Sequence, residues 1–163
     1  MKIIVLGDTH RYTSSIDAIK DVLTKADLVI HTGDNYDDML YIQRKYNKNT
    51  IGVKGNCDWN IEAIRERLEV IKNKRIYIVH GHKHGVKNGL SGIFYKGKEM
   101  NADLVIFGHS HMSFYCQEEG MIILNPGSLS LPRGNATKSY AVVEIGDTIK
   151  VEIVELGDYD KSI

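Results

Sequence analysis

No stretch of this chain approaches the roughly 18 consecutive apolar residues of a membrane-spanning helix, and the opening MKIIVLGDTH is too short an apolar run for a secretory signal. The expectation is a soluble, cytoplasmic protein with no membrane partner. Cysteine is nearly absent: Cys57 and Cys116 lie far apart and form no CxxC pair, which argues against a disulfide framework or a thiolate zinc site and leaves two reduced thiols. Neither sign of charge is in excess. With 21 Lys and Arg against 21 Asp and Glu, the formal net charge of zero supplies no general attraction to nucleic acid or acidic lipid, so a dedicated nucleic-acid binder is not expected. Repeats, low-complexity tracts and linkers are also missing. The 163 residues, 42% of them apolar, are read as a single domain with one core over 1–163, with only residues 157–163 expected to fray.

What is there begins as strand, helix, strand, helix, strand. Lys2–Leu6 is a continuous apolar run ending at Gly7, as in a strand buried on both faces, and residues 14–25 carry Ile16, Ile19, Val22 and Leu23 at helical spacing. Leu28–His31 repeats the short apolar run, residues 37–46 read as helix, and residues 50–53 as a third strand. Connections this short favour parallel strands joined by helices, so all three strand ends fall on one edge. Residues 61–68 read as helix, residues 75–79 and 104–107 as strands, and residues 113–124 and 139–155 as two antiparallel hairpins. A parallel start and an antiparallel finish imply two sheets packed face to face with helices outside.

Metal-competent side chains stand where these segments end: Asp8 and His10, Asp34, Asn56, His80, and His109 with His111. Oxygen and imidazole donors delivered from strand ends are what a two-metal hydrolytic centre requires. Singly, the motifs are ambiguous. Alternation along an extended segment puts Asp8 and His10 on one side, within reach of one ion, yet a lone Asp-x-His is also a turn residue beside a surface histidine. Asp34 after a buried strand needs a cation or several hydrogen bonds to stay ionised, or it caps the helix that follows. Asn56 offers an amide oxygen or only a left-handed turn. His80-Gly81-His82 and Gly108-His109-Ser110-His111 shift the balance, because strands ending in buried histidines are poor core design without a ligand. His31 is read as structural and Asp58 as a support for His80 or Asn56, or else a turn carboxylate. His82, His84 and Arg133 are read either as substrate contacts, Arg133 forking a phosphate, or as solvated loop residues.

In that order, Asp8-x-His10, Gly33-Asp34, Gly55-Asn56, His80 and Gly108-His109-x-His111 resemble the motifs of the calcineurin-like metallophosphoesterases, and the spacing looks most like the small, uncapped phosphodiesterases of the YfcE type. The likeness runs from residue 1 to about 155 and includes Asn125-Pro126-Gly127-Ser128. It implies an α/β fold, a four-layer αββα sandwich of two mixed sheets flanked by helices. It further implies a metal-dependent phosphoesterase, foremost a phosphodiesterase and otherwise a phosphomonoesterase, acting on a small phosphate ester. Asp8, His10 and His111 would hold one divalent ion and Asn56, His80 and His109 a second, with Asp34 and an attacking hydroxide shared between them. Two such ions about 3.5–4 Å apart repel by roughly 17–19 kcal/mol at an effective dielectric near 20, which is why anionic bridges are needed. Donors without thiolate suit manganese, the first choice, or nickel, iron, cobalt or zinc. Asp34, Asn56 and His80 carry the catalytic expectation.

One departure from the pattern bears on mechanism. Many relatives place histidine after the motif asparagine to assist the leaving group, where this chain has Cys57, a weaker substitute, so good leaving groups should be hydrolysed best. The resemblance also extends to the retromer scaffold subunit built on this fold with a degraded metal site, which makes a non-catalytic interaction module the rival reading. A complete set of ligand positions favours the enzyme. An exposed edge strand or helix face would also suit a homo-oligomer.

Overall fold

The computed structural model describes residues 1–59 and 61–157, so the expected fraying falls, Gly157 apart, outside the described residues. Strand β1 (Lys2–Leu6) is buried on both faces from Ile3 to Leu6, with Ile3 and Val5 turned to one apolar layer and Ile4 and Leu6 to another. Two helical turns, α1 (Thr13–Ala18) and α2 (Lys20–Leu23), lead to β2 (Leu28–His31), and α3 (Tyr36–Tyr46) leads to β3 (Thr50–Gly52). The apolar period over residues 14–25 predicts one helix, but the chain tightens at Ile19, whose N–H bonds to the Ile16 carbonyl three residues back. That local tightening splits the helix while Ile16, Ile19 and Leu23 all stay against the sheet.

The second half contributes β4 (Glu66–Ile71), β5 (Lys74–Val79), α4 (Ser91–Glu99), β6 (Leu104–Ile106), β7 (Ser113–Glu118), β8 (Met121–Pro126), β9 (Lys138–Ile145) and β10 (Ile149–Leu156). One sheet has the order β10-β9-β1-β2-β3, parallel from β1 to β3 and antiparallel at β9 and β10. The other runs β4-β5-β6-β8-β7, with β5, β6 and β8 parallel between two antiparallel edges. Between them lies a core of Val5, Ile30, Ile78, Ile106, Leu124 and Val143 with their neighbours. Ile16, Leu23 and Ile42 cover the outer face of the first sheet, and Ile93 of α4 that of the second. This is the expected four-layer sandwich of two mixed sheets flanked by helices.

One local expectation fails. Residues 61–68 are irregular and then enter β4 rather than a helix, because Lys72 and Asn73 both take positive φ (48° and 62°) and close a two-residue hairpin that pairs Ile71 with Lys74. Strand alternation then sends Leu68 to the outer apolar layer and Ile71 to the inner one. Helix α4 forms although its segment holds two glycines, poor helix formers. Gly97 is nevertheless needed there, since a Cβ would meet Val105 Cγ2 at 2.5 Å and Met121 Sδ at 2.7 Å.

Candidate metal centre

The carboxyl ends of β1, β2 and β3 and those of β5 and β6 open onto the same edge of the sandwich. Hydrogen bonds knit the loops leaving them: Asp8 N–H to the Gly33 carbonyl (3.0 Å), His10 N–H to the Asp34 carbonyl (3.0 Å), and Gly108 N–H to the His80 carbonyl (3.0 Å). His109 N–H donates to Asp8 Oδ2 at 2.9 Å, tying the two sheets together at the site itself. The extended backbone expected for Asp8-x-His10 is not found, and His109-x-His111 is not extended either. All four residues have positive φ (51°, 47°, 70° and 60°), as does Asp34 (49°), so side chains converge from tight left-handed turns and not by strand alternation. Holding non-glycine residues in this region costs of order 1 kcal/mol or more each, and the interlocked loops supply the constraint.

Buried polar groups underneath hold the turns. The Asp58 carboxylate accepts N–H bonds from Asp34 (3.2 Å), Tyr36 (2.8 Å) and Gly55 (2.7 Å), so it fixes the backbones that carry Asp34 and Asn56. Asp38 accepts from Thr9 Oγ1 (2.5 Å), Arg11 N–H (2.9 Å) and Asn35 Nδ2 (3.1 Å). The hydroxyls of Ser128 and Ser130 donate to the Asp8 carbonyl at 2.7 and 3.0 Å. Sequence reasoning missed Asp38, Ser128 and Ser130; only the Asn125-Pro126-Gly127-Ser128 turn carried a signal. His31 is fully buried: its Nδ1 accepts the Gly33 N–H (3.1 Å), which leaves Nε2–H to donate to Thr9 Oγ1 (3.0 Å). Burial holds its pKa well below the ordinary histidine value.

The donor atoms gather into two overlapping groups. Asp8, His10, Asp34 and His111 offer ligand atoms within 4.8 Å of one another, and Asp34, His80 and His109 form a second such set, with Asp34 common to both. Asn56 Oδ1 joins the second, 3.1 Å from His80 Nε2. Whether these residues suit cations is decided by tautomers. His80 Nδ1 lies 2.8 Å from the Thr32 carbonyl, an acceptor, so Nδ1 carries hydrogen and a neutral ring turns the Nε2 lone pair inward. What that lone pair meets is Asn56 Oδ1, Asp34 Oδ2 at 3.4 Å and His109 Nδ1 at 3.2 Å. His111 repeats the arrangement, with Nδ1 fixed by the Leu131 carbonyl (2.6 Å) and Nε2 facing His10 Nε2 (3.2 Å) and Asp8 Oδ1 (3.6 Å). Asp8 Oδ1 is itself buried without a hydrogen-bond partner. The His80 and His111 lone pairs thus face carboxylate oxygens, an arrangement that calls for positive charge between them, from protons or from metal ions, and the second nitrogen is oriented as it is in metal-bound histidines.

Without ions, a proton on His80 meets this need: burial would lower its pKa, but the hydrogen bond to Asp34 and the Asp8 and Asp34 charges outweigh burial and raise it above the ordinary histidine value. Burial, with the neighbouring Asp34 charge, pushes the Asp8 carboxyl up to about 7. Burial would raise Asp34 too, but the hydrogen bond and charge of His80 and the N–H of Cys57 (2.8 Å) outweigh it and hold that carboxyl far below its usual range. Burial lowers His109 to about 4 and also lowers His10 and His111, keeping these rings neutral and able to donate lone pairs. Cys57 does not join the donors. Burial and the Asp34 charge push its thiol up to about 11. His82 sits in a short 3-10 turn with its ring 6.0 Å from that of His109, beside the site, whereas His84 makes no described contact with the ligand set. Arg133 reaches the site through its backbone, its N–H donating to the His111 carbonyl at 3.3 Å.

A model of the calcineurin-like phosphoesterase superfamily domain matches residues 1–148. The chain belongs to this superfamily. Probable metallophosphoesterase YsnB of Bacillus subtilis is 34% identical over 146 residues, 89% of this chain and 85% of that protein. Phosphodiesterase YfcE of Escherichia coli is 26% identical over 116 residues, 66% of this chain and 58% of that one, and its solved structure gives a TM-score of 0.67 at 20% identity over 88% of both chains. Vps29 of Entamoeba histolytica complexed with zinc gives a TM-score of 0.74 at 23% identity, covering 95% of this chain and 99% of that one. At such identities the structural likenesses speak for the fold alone.

Proposed function

We propose that this protein is a metal-dependent phosphodiesterase, with Asp8, His10 and His111 holding one divalent ion, Asn56, His80 and His109 a second, and Asp34 between them. The observation that carries the reading is the inward aim of the His80 and His111 lone pairs, set by the Thr32 and Leu131 carbonyls, onto the Asp34 and Asp8 carboxylates. The donor set is nitrogen and oxygen without thiolate, which favours manganese, with nickel, iron, cobalt and zinc as alternatives. When bound, such ions neutralise charge on phosphoryl oxygens and lower the pKa of water from 15.7 to about 7.

The chain's own groups do the rest. Thr32 and Leu131 lock two imidazoles in orientation, and the Asp58 carboxylate fixes the loops carrying Asp34 and Asn56, so the site is set before substrate arrives. Asn56 is exposed and His10 and His109 half-buried, leaving an open edge where a phosphorus bearing two ester groups can dock. Cys57, a thiol titrating near 11, is a poor proton donor to a leaving group, which favours esters whose leaving group departs as a stable anion. Free Cys57 and Cys116 suit a reducing compartment such as the cytoplasm.

The test is hydrolysis of bis(4-nitrophenyl) phosphate and of 4-nitrophenyl phosphate by Mn²⁺-loaded protein, with Asp34→Asn and His80→Ala as comparisons. Turnover of the diester should exceed that of the monoester and fall at least about a hundredfold in either variant. Wild-type rates no higher than those of the variants would remove the enzyme and favour an interaction scaffold on the same fold.

A further inference from the structure

A cleft of about 460 Å³ opens beside the loop that carries His109 and His111. Its floor is apolar, made by Val86, Leu90 and the almost wholly buried Phe107. One wall is Met112 and Phe114, 51% and 37% exposed, large apolar side chains that gain nothing from standing in water. Ser110, between the two histidines, and Met112, directly after His111, belong both to the ligand loop and to this lining, so the cleft borders that loop, with the candidate ligands themselves outside its lining. At its border stand Lys87 and Arg133, and no acidic side chain lines it. Neither cation is taken up by an ion pair among the described residues.

We infer that this cleft is the subsite for the ester group that stays on phosphorus, and that it selects phosphodiesters carrying a flat aromatic group there, an aryl ring or a nucleoside base. The assignment rests on the phosphodiesterase reading for the position of phosphorus, and on the cleft alone for what lies next to it. An aromatic ring laid against Leu90, Phe114 and Met112 exchanges water for apolar and sulfur contacts, while Lys87 and Arg133 flank the negative charge of the adjoining phosphate. A purely polar ester group would leave the Met112 and Phe114 wall exposed, and a cleft without cations would suit a neutral ligand.

Three substrates with one leaving group isolate the subsite: the 4-nitrophenyl phosphodiesters of methanol, phenol and thymidine (through its 5′ oxygen). In Mn²⁺-loaded wild type, kcat/KM for the phenyl and thymidine diesters should exceed that for the methyl diester, and this ratio should fall about tenfold in Phe114→Ser, as expected from some 55 Å² of lost apolar burial. Tyr95→Ser, on the exposed face of α4 outside this lining, should leave the ratio as in wild type. A readout independent of turnover is the methyl resonance of Met112 in protein labelled at its five methionines, assigned through Met112→Leu. In metal-free and zinc-loaded protein it should shift on titration with phenyl phosphate or thymidine 5′-monophosphate and stay in place with inorganic phosphate. Phenyl phosphate acting without the nucleotide would narrow the group to small aryl rings, and both acting would extend it to nucleosides. Hydrolysis of all three diesters with a ratio that Phe114→Ser does not change overturns the subsite and leaves the activity standing. A Met112 shift specific to the aromatic phosphates, with no turnover of any diester, keeps the subsite and removes the activity.

Discussion

At the end of the sandwich where β1 begins, a hollow of about 570 Å³ is bordered by Lys2, Lys72 and Lys150 together with Asp27, Glu144 and Asp147. Charges of both signs mingle there, and its buried-edge groups are paired: Lys2 N–H donates to Asp27 Oδ2 at 2.6 Å and the Met1 ammonium to the Ile145 carbonyl at 2.8 Å. The opposite end, where β1 stops, holds two carboxylates, four imidazoles and an amide whose lone pairs point at one another, one carboxylate oxygen being buried with no partner at all. The hollow where β1 begins is therefore the less informative end, whatever its size. Unpaired donor chemistry, and not volume, marks where this fold does its work.

Small substitutions at the two ends should separate them sharply. At Gly55 an added Cβ would run into the Asp34 carboxylate and stand 2.7 Å from its backbone nitrogen, whereas at Gly146 it would meet nothing within 4 Å. Gly55→Ala should cost about 2 kcal/mol of stability and at least about a hundredfold in diesterase activity, against a change within about 0.5 kcal/mol and full activity for Gly146→Ala. Denaturant melts and initial rates check both, and equal behaviour of the two variants would erase the contrast.

A smaller effect is expected one layer below the ligands. Asp58→Asn replaces an acceptor of three backbone N–H bonds by an amide with one oxygen, leaving at least one buried donor unmet at a cost of roughly 1–3 kcal/mol. Since those bonds fix the loops of Asp34 and Asn56, Mn²⁺ affinity should drop at least about tenfold in calorimetric titration. Unchanged affinity with lowered stability would reduce Asp58 to a turn residue.

The smallest effect is a pH dependence. Burial lowers the His31 pKa in the folded protein, so the unfolded chain binds its proton first. The stability this group contributes is fully present above its ordinary value of 6.5 and is lost as pH falls from there toward the folded-state value. Metal-free wild type should therefore lose more stability between pH 7.5 and 5 than His31→Gln does. Parallel loss in the two would show that His31 is not the group responsible.

Much of the site was legible because apolar runs that stop at Gly-Asp, Gly-Asn and Gly-His announce strand ends, and parallel strands put those ends on one edge. The backbone at Asp8, His10, His109 and His111 was not legible. Positive φ there is enforced by bonds such as His109 N–H to Asp8 Oδ2, between residues 101 apart in the chain. Ser128 and Ser130 escaped notice for the same reason, since the Asp8 carbonyl they hold lies 120 and 122 residues away. Strand β4 was lost to a helical reading because the cue lay in the Lys72-Asn73 turn rather than in the strand itself.

The most direct test counts metal. Protein stripped with chelator, reloaded with Mn²⁺ and desalted should carry two ions per chain by elemental analysis in wild type, and one or none in Asp34→Asn, which lacks the carboxylate common to both donor groups. A chain that retains no manganese, or one whose content is the same with and without the Asp34 carboxylate, would contradict the shared centre proposed here.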